Sequence, residues 1–204
     1  MKADADWLSL PLTCENGLSF PFLLLLSCLS IFIRSPSAKG EATRLEHTKK
    51  LLTHLGTFWK EVKSSKGADE EVGCILCGDF NAAPSGSVYQ HVISTPIPST
   101  NLTLKSAYAN YASASGTTPT PSKATPAGGR ARRAGAKQGD NGSAAGEPPY
   151  TTYLPSSNMV VDYIFYAGGL TLTDITEIPP LAQGEGLPNQ HLSSDHVYLA
   201  ATFT

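Results

Sequence analysis

Between Ala112 and Pro149 the chain carries no aromatic and no large aliphatic side chain. The stretch "ASASGTTPTPSKATPAGGRARRAGAKQGDNGSAAGEPP" is mostly Ala, Gly, Pro, Ser and Thr. Such a composition buries too little apolar surface to offset the entropy of ordering a chain. It reads as a disordered surface insertion at about 112–149. Any core must therefore be assembled from the segments on either side of it. Its basic run "GRARRAGAK" reads as a solvated loop, with loose electrostatic contact to RNA as the other reading. With 204 residues, 41% of them hydrophobic, the chain still suffices for one domain with its own core.

The flanking segments show regular periodicities. From Lys39 to Val62, apolar Leu45, Leu52, Leu55, Trp59 and Val62 recur at helical spacing. Glu46 and Lys50 sit four apart, a favourable pair on a helix. A polar loop, "SSKGADEE", closes that helix. "VGCILCGDF" reads as a short buried strand, and "NAAPSGSVYQHVIS" as a turn running into a short helix. "LTLKSAYANY" is a further short element. Beyond the insertion, "VVDYIFY" and "LTLTDITEI" read as two strands around the turn "AGG". A last alternating strand puts Val197, Leu199, Ala201 and Phe203 on one face. Helices interleaved with strands make the fold class α/β (α+β).

Residues 1–36 stand apart from this pattern. "SFPFLLLLSCLSIFI" is apolar but shorter than the roughly 20 residues of a membrane span. As a signal peptide it starts late, behind acidic Asp4 and Asp6. A membrane anchor or signal, a buried strand pair, and a start foreign to the domain remain as readings. The cysteines form no disulfide framework. Cys74 and Cys77 make a C-x-x-C, but positions i and i+3 of a strand point to opposite faces and cannot chelate one ion. They read as small strand residues in a reducing compartment.

Formal net charge is −2, so no global basic field draws in nucleic acid, and a phosphate must be captured locally. Three polar insertions offer the means. Asp79 and Asn81 end one strand, Asp162 interrupts another, and Asp195 and His196 stand together before the last. A carboxylate inside an apolar strand is costly unless paired, and an imidazole is its natural partner. Asp162 with His196 then forms an orienting pair, fixing the tautomer and aiming the other ring nitrogen at substrate. Asp79 and Asp195 remain as oxygen ligands for a hard cation such as Mg²⁺. Asn81 is left to donate to a phosphate oxygen. Taken singly, each piece reads equally as a strand-end turn, a buried ion-pair member or a cap. Taken together, they describe phosphoester hydrolysis with metal, water and histidine.

"GDFN", "DYIF" and "SSDH" in this order resemble the C-terminal signature of the endonuclease/exonuclease/phosphatase superfamily, whose fold is that of deoxyribonuclease I. "CGDFNAAPSGSVYQ", "LKSAYANY", "EPPYTTYLPSSNMVVDYIFY" and "GLPNQHLSSDHVYLAATF" are similar to its deadenylase-like branch: the carbon catabolite repression deadenylase, nocturnin, the Angel proteins and the 2′-phosphodiesterase. "KGEATRLEHTKKLL" resembles the segment after that family's Asn-Thr-His strand. The resemblance runs from about Lys39 to the end, apart from the insertion. It implies a partial four-layer α/β/β/α sandwich over residues 37–204. Asp79 and Asn81 would contact the attacking water and scissile phosphate. Asp162 would orient the histidine, Asp195 would be a metal-side carboxylate, and His196 would stabilise or protonate the phosphoryl transition state. The implied cofactor is Mg²⁺ or Mn²⁺.

The implied function is a metal-dependent phosphodiesterase, foremost a 3′–5′ exoribonuclease of the poly(A) deadenylase kind. Its partners would be RNA 3′ ends or a small phosphoester, with no stable protein partner inferable and membrane association resting on residues 19–33 alone. The setting is cytoplasmic, with the nucleus as the alternative. Tyr89, Tyr108 and Tyr153 are candidates to stack on bases, Tyr153 foremost, against packing as the other reading for each. The family's Leu-Gln-Glu glutamate and Asn-Thr-His histidine have no match here. The expectation is a chain carrying the C-terminal half to two-thirds of the domain behind a foreign or alternative start. The competing readings are a catalytically impaired fragment that binds or regulates, and a 2′,3′-cyclic phosphate phosphatase of the Angel type.

Overall fold

Strand β6 (Asp162–Gly168) organises the molecule because its side chains alternate without interruption. Tyr163, Phe165 and Ala167 are buried on one face, and Ile164 and Tyr166 pack on the other. Both faces therefore need a covering layer. The computed structural model describes residues 22–25, 38–66, 71–111, 146–154, 157–180 and 186–204. Around β6 runs a four-stranded sheet in the order β1-β2-β6-β3, with β1 at Phe22–Leu25, β2 at Gly73–Asp79 and β3 at Lys105–Ser106. β1 lies parallel to β2, whereas β2 and β3 are antiparallel to β6.

One face is covered by helices α1 (Ala38–Ser65) and α2 (Ser87–Ser94). Leu52, Leu55 and Trp59 of α1 meet Val88, Tyr89 and Val92 of α2 over Cys74, Leu76 and Phe165. The other face is covered by a small sheet of β7 (Leu172–Ile175) and β8 (Ala201–Phe203), with Tyr108, Tyr111, Tyr150 and Ile178 between the layers. A short hairpin of β4 (Thr152–Leu154) and β5 (Ser157–Met159) precedes β6. Helix, sheet and sheet are thus three consecutive layers of the sandwich expected from sequence.

Several expectations shift in detail. α1 spans Ala38–Ser65, longer than the apolar pattern required. Its ion pair joins Glu46 to Lys49 at 2.7 Å, rather than to Lys50. Both side chains are largely solvated, so the pair contributes little. β6 begins at Asp162, so that carboxylate opens the strand instead of interrupting it. The last strand pairs only over Ala201–Phe203, yet the alternation holds: Val197 and Leu199 pack inward while Tyr198 is exposed. Within the apolar run, Phe22–Leu25 forms a strand paired with β2, and the rest of residues 1–36 lies outside the described residues. The interior of the low-complexity stretch also lies outside them. Among the described residues no helix is long and apolar enough to cross a membrane.

Gly56 shows how closely α1 is seated. A Cβ there would sit 2.0 Å from the Pro98 carbonyl oxygen. Alanine raises helix propensity by about 1 kcal/mol, but overpacking of this kind costs roughly 1–3 kcal/mol. Gly56→Ala is expected to lower the thermal midpoint by several degrees, measured by circular dichroism. An unchanged or raised midpoint would show that α1 can lift off the Pro98 turn freely.

Candidate active site

β2 ends on Asp79 and β6 begins on Asp162, and the antiparallel register sets these two residues directly opposite one another. Like charges in such a pair repel, so the fold gains nothing from this arrangement. His196 joins them from a third segment, held by an isolated bridge to Thr152. Its Nδ1 lies 2.8 Å from Asp162 Oδ2. An ionised carboxylate only accepts, so Nδ1 carries the hydrogen and Nε2 is left for another partner. One ligand atom from each of Asp79, Asp162 and His196 falls within 4.8 Å of the others. The three side chains are half-buried, with Asp79 and Asp162 at the paired ends of the two inner strands.

The surroundings bias their protonation. Burial pushes the Asp79 carboxyl above its ordinary range, and the neighbouring Asp162 charge adds to the rise. The hydrogen bond that Nδ1–H donates to Asp162 holds the His196 imidazole above its usual value, against the opposing effect of burial. Asp79 is further engaged by Asn81, whose backbone N–H donates to Oδ1 at 2.7 Å and whose Nδ2 donates to Oδ2 at 2.9 Å. Asn81 adopts a φ of 49°, a left-handed conformation that asparagine tolerates well. The turn after β2 is thereby folded back onto Asp79. Two further links tie it to the start of β6: Phe80 N donates to Val161 O at 2.8 Å, and Tyr163 Oη donates to Ala82 O at 2.7 Å.

The remaining residues singled out from sequence are placed differently. Asp195 is exposed, and its carboxylate lies outside the cluster of three, although its charge still reaches His196. Its backbone carbonyl accepts from Tyr153 N at 3.2 Å. Tyr153 is half-buried with its ring edge-on to Tyr150, 5.0 Å away. Tyr89 and Tyr108 are core residues at 3% and 1% exposure, which removes both as base-stacking platforms. Tyr108 Oη is spent on the backbone of Thr176 and Ala200. Cys74 and Cys77 face opposite sides of β2, neither in a disulfide, and burial pushes the Cys74 thiol up to about 12.

Glu147 is a residue that sequence reasoning assigned to the insertion. It is buried at 2% exposure and accepts from Tyr89 Oη at 2.6 Å. Burial raises its carboxyl above the ordinary range, more than the bonds from Ser106 and Tyr89 lower it. Stability from such a group is present below its unfolded value of about 4.3 and is lost as pH rises through the folded value. Glu147→Gln keeps an acceptor for Tyr89 and removes the charge. The variant is expected to be more stable than the parent at pH 8, by on the order of 1 kcal/mol, with the gain shrinking toward pH 4. Denaturant midpoints at the two pH values measure this. A loss of stability at pH 8 would mean that the charge itself is needed. A second overlooked carboxylate, Glu41, accepts from Ser87 N at 2.7 Å and Ser87 Oγ at 2.9 Å, capping α2 from the first turn of α1.

The model of the endonuclease/exonuclease/phosphatase family matches residues 59–196, a span that includes the whole site. The 3′-5′-exoribonuclease subunit Ccr4 of the CCR4-Not complex of Phaeosphaeria nodorum is 32% identical over 143 residues, covering 67% of this chain and 21% of that protein. The probable counterpart of Encephalitozoon cuniculi is 29% identical over 147 residues, covering 71% of this chain and 26% of that protein. The chain thus spans about a fifth to a quarter of the length of these curated relatives. The human Nocturnin catalytic domain with bound sulfate aligns with a TM-score of 0.48 at 24% identity, over 83% of this chain and 44% of that one. With the family model covering well over half of its residues, the chain belongs to the endonuclease/exonuclease/phosphatase family.

Proposed function

We propose that the chain hydrolyses phosphodiester bonds at RNA 3′ ends, with poly(A) as the first substrate to test. The observation that carries this reading is the Asp162–His196 pair at 2.8 Å, set against a second carboxylate opposite it in the ladder. Asp162 holds Nδ1–H and leaves Nε2 facing outward as a donor when the ring is protonated. The raised basicity of His196 extends that protonated state to higher pH than in an ordinary imidazole. It can then give a proton or hydrogen bond to a phosphoryl oxygen. Asp79, itself more basic than an ordinary carboxylate, is suited to orienting a water or taking its proton. Asn81 spends one amide hydrogen on Asp79 and offers the other to phosphate.

The donor set fits a hard divalent cation, because two opposed carboxylates are an unfavourable pair without positive charge between them. Asp79 would hold Mg²⁺ or Mn²⁺, with substrate phosphate oxygens completing the shell. When bound, the cation neutralises phosphoryl charge and lowers the pKa of a coordinated water. Tyr153 is left as the half-exposed aromatic beside the His196 segment.

A 5′-labelled oligo(A) and the same RNA ending in a 2′,3′-cyclic phosphate separate the readings. With Mg²⁺ or Mn²⁺, stepwise shortening of the oligo(A) that a chelator stops is the expected result. Turnover of the cyclic end alone would move the substrate class to terminal phosphates. No product from either RNA at any metal concentration would leave the chain as a binding piece of the family.

A further inference from the structure

We infer that Thr151 is the positioning residue that sets the Asp162–His196 pair, an inference that rests on the hydrolytic reading of that pair. Asp162 and His196 lie 34 residues apart in sequence, and something must fix their separation. Among the described residues, Thr151 hydrogen-bonds to the backbone of both segments. Its side-chain Oγ1 accepts from Val161 N at 2.9 Å and from Asp162 N at 3.1 Å. Its backbone carbonyl accepts from Val197 N at 2.8 Å, next to His196. Its own N–H donates to Met159 O at 2.8 Å, closing the hairpin that leads into β6. Thr152, the next residue, pairs with His196.

The chemistry asks for a hydroxyl here. Two consecutive N–H groups, of Val161 and Asp162, converge on one oxygen where β6 begins. A buried N–H left without an acceptor costs free energy, so the segment shifts if the oxygen is removed. Thr151 is fully buried at 0% exposure, which keeps water from replacing it. A side chain held on both sides in this way behaves as the outer partner of a functional pair, where loss typically lowers activity by about 10–100-fold.

Thr151→Val keeps the shape and removes the acceptor, whereas Thr151→Ser keeps the acceptor and removes a methyl. The first readout is the Nδ1–H proton of His196 in ¹⁵N-edited NMR, a signature of its bond to Asp162 that needs no turnover. It is expected far downfield in the parent and in Thr151→Ser, and broadened away or shifted upfield in Thr151→Val. The second readout is kinetic: kcat down by about 10–100-fold in Thr151→Val with KM within about twofold, and most of the loss recovered in Thr151→Ser. If Thr151→Val does not fold, Thr151→Cys, whose thiol accepts only weakly, carries the same expectation. An unaltered His196 signal in the folded Val or Cys variant overturns the inference, as does its absence from the parent. Should the parent show the signal but hydrolyse neither RNA, the hydrolytic reading fails while the NMR arm still decides whether Thr151 sets the pair.

Discussion

His196→Ala is expected to lower phosphodiester hydrolysis by about 10²–10⁴-fold, the usual contribution of a positioned acid or base. The side chain is half-exposed and its backbone is held independently through Thr151 and Thr152, so the fold should survive its removal. Asp162→Asn tests the same pair more finely. The amide keeps the size of the carboxylate but removes the charge that fixes the Nδ1–H tautomer. Because the Asp162 bond is the largest cause of the raised His196 basicity, its loss lowers that basicity toward or below the ordinary value of about 6.5. The alkaline limb of the pH–rate profile should then move to lower pH. The stability linked to His196 follows the same sign: present below about pH 6.5 and lost as pH rises through the folded value, which Asp162→Asn removes. Steady-state rates from pH 5 to 9 measure both effects. An alkaline limb that stays in place would assign it to another group.

Asp79→Asn is expected to do two opposite things. Hydrolysis falls by about 10²-fold or more, through loss of the carboxylate that faces water and metal. Stability rises, because the like-charge pair across the β2–β6 ladder disappears. The hydrogen bonds to Asn81 are retained: the new side-chain oxygen accepts from the backbone N–H, and the Asn81 amide can turn to present its own oxygen. Since the Asp79 carboxyl sits above its ordinary range, the cost of its charge is absent at low pH and grows as pH rises through the folded value. The gain in the variant is thus expected at pH 7 to 8 and vanishes near pH 3 to 4. Its size is a few tenths to about 1 kcal/mol, tempered by solvent screening. Denaturant unfolding at pH 4 and pH 8 tests this. A variant destabilised at both would mean that Asp79 is structural first.

The elements with strong periodicity were legible before any coordinates. Leu52, Leu55 and Trp59 mark the buried face of α1, and the alternation through "DYIFY" marks β6. The Asp162–His196 pairing was legible too, because a carboxylate within an apolar strand calls for a partner. What sequence could not carry is register. That Asp79 faces Asp162 follows from an antiparallel pairing of strands far apart in sequence, which no local pattern encodes. Thr151 was invisible for a related reason: its role depends on where three backbone segments come to lie. Glu147 was hidden by its neighbours, since a composition rule judges a whole stretch and not its last few residues. Tyr89 and Tyr108 stood between packing and binding because an aromatic ring looks the same in sequence whichever it does, and both pack. Asp195 stands beside His196 in sequence, yet adjacent residues of an extended segment point apart, and its side chain stays in solvent.

One comparison bears most directly on whether this site does chemistry: initial rates of Mg²⁺-dependent release of nucleotide from oligo(A), for the chain and for His196→Ala at equal concentration. Release by the parent that drops at least about 10²-fold in the variant, with both proteins folded by circular dichroism, is the predicted result. Equal rates in the two proteins would contradict it, because any turnover would then arise without the Asp162–His196 pair.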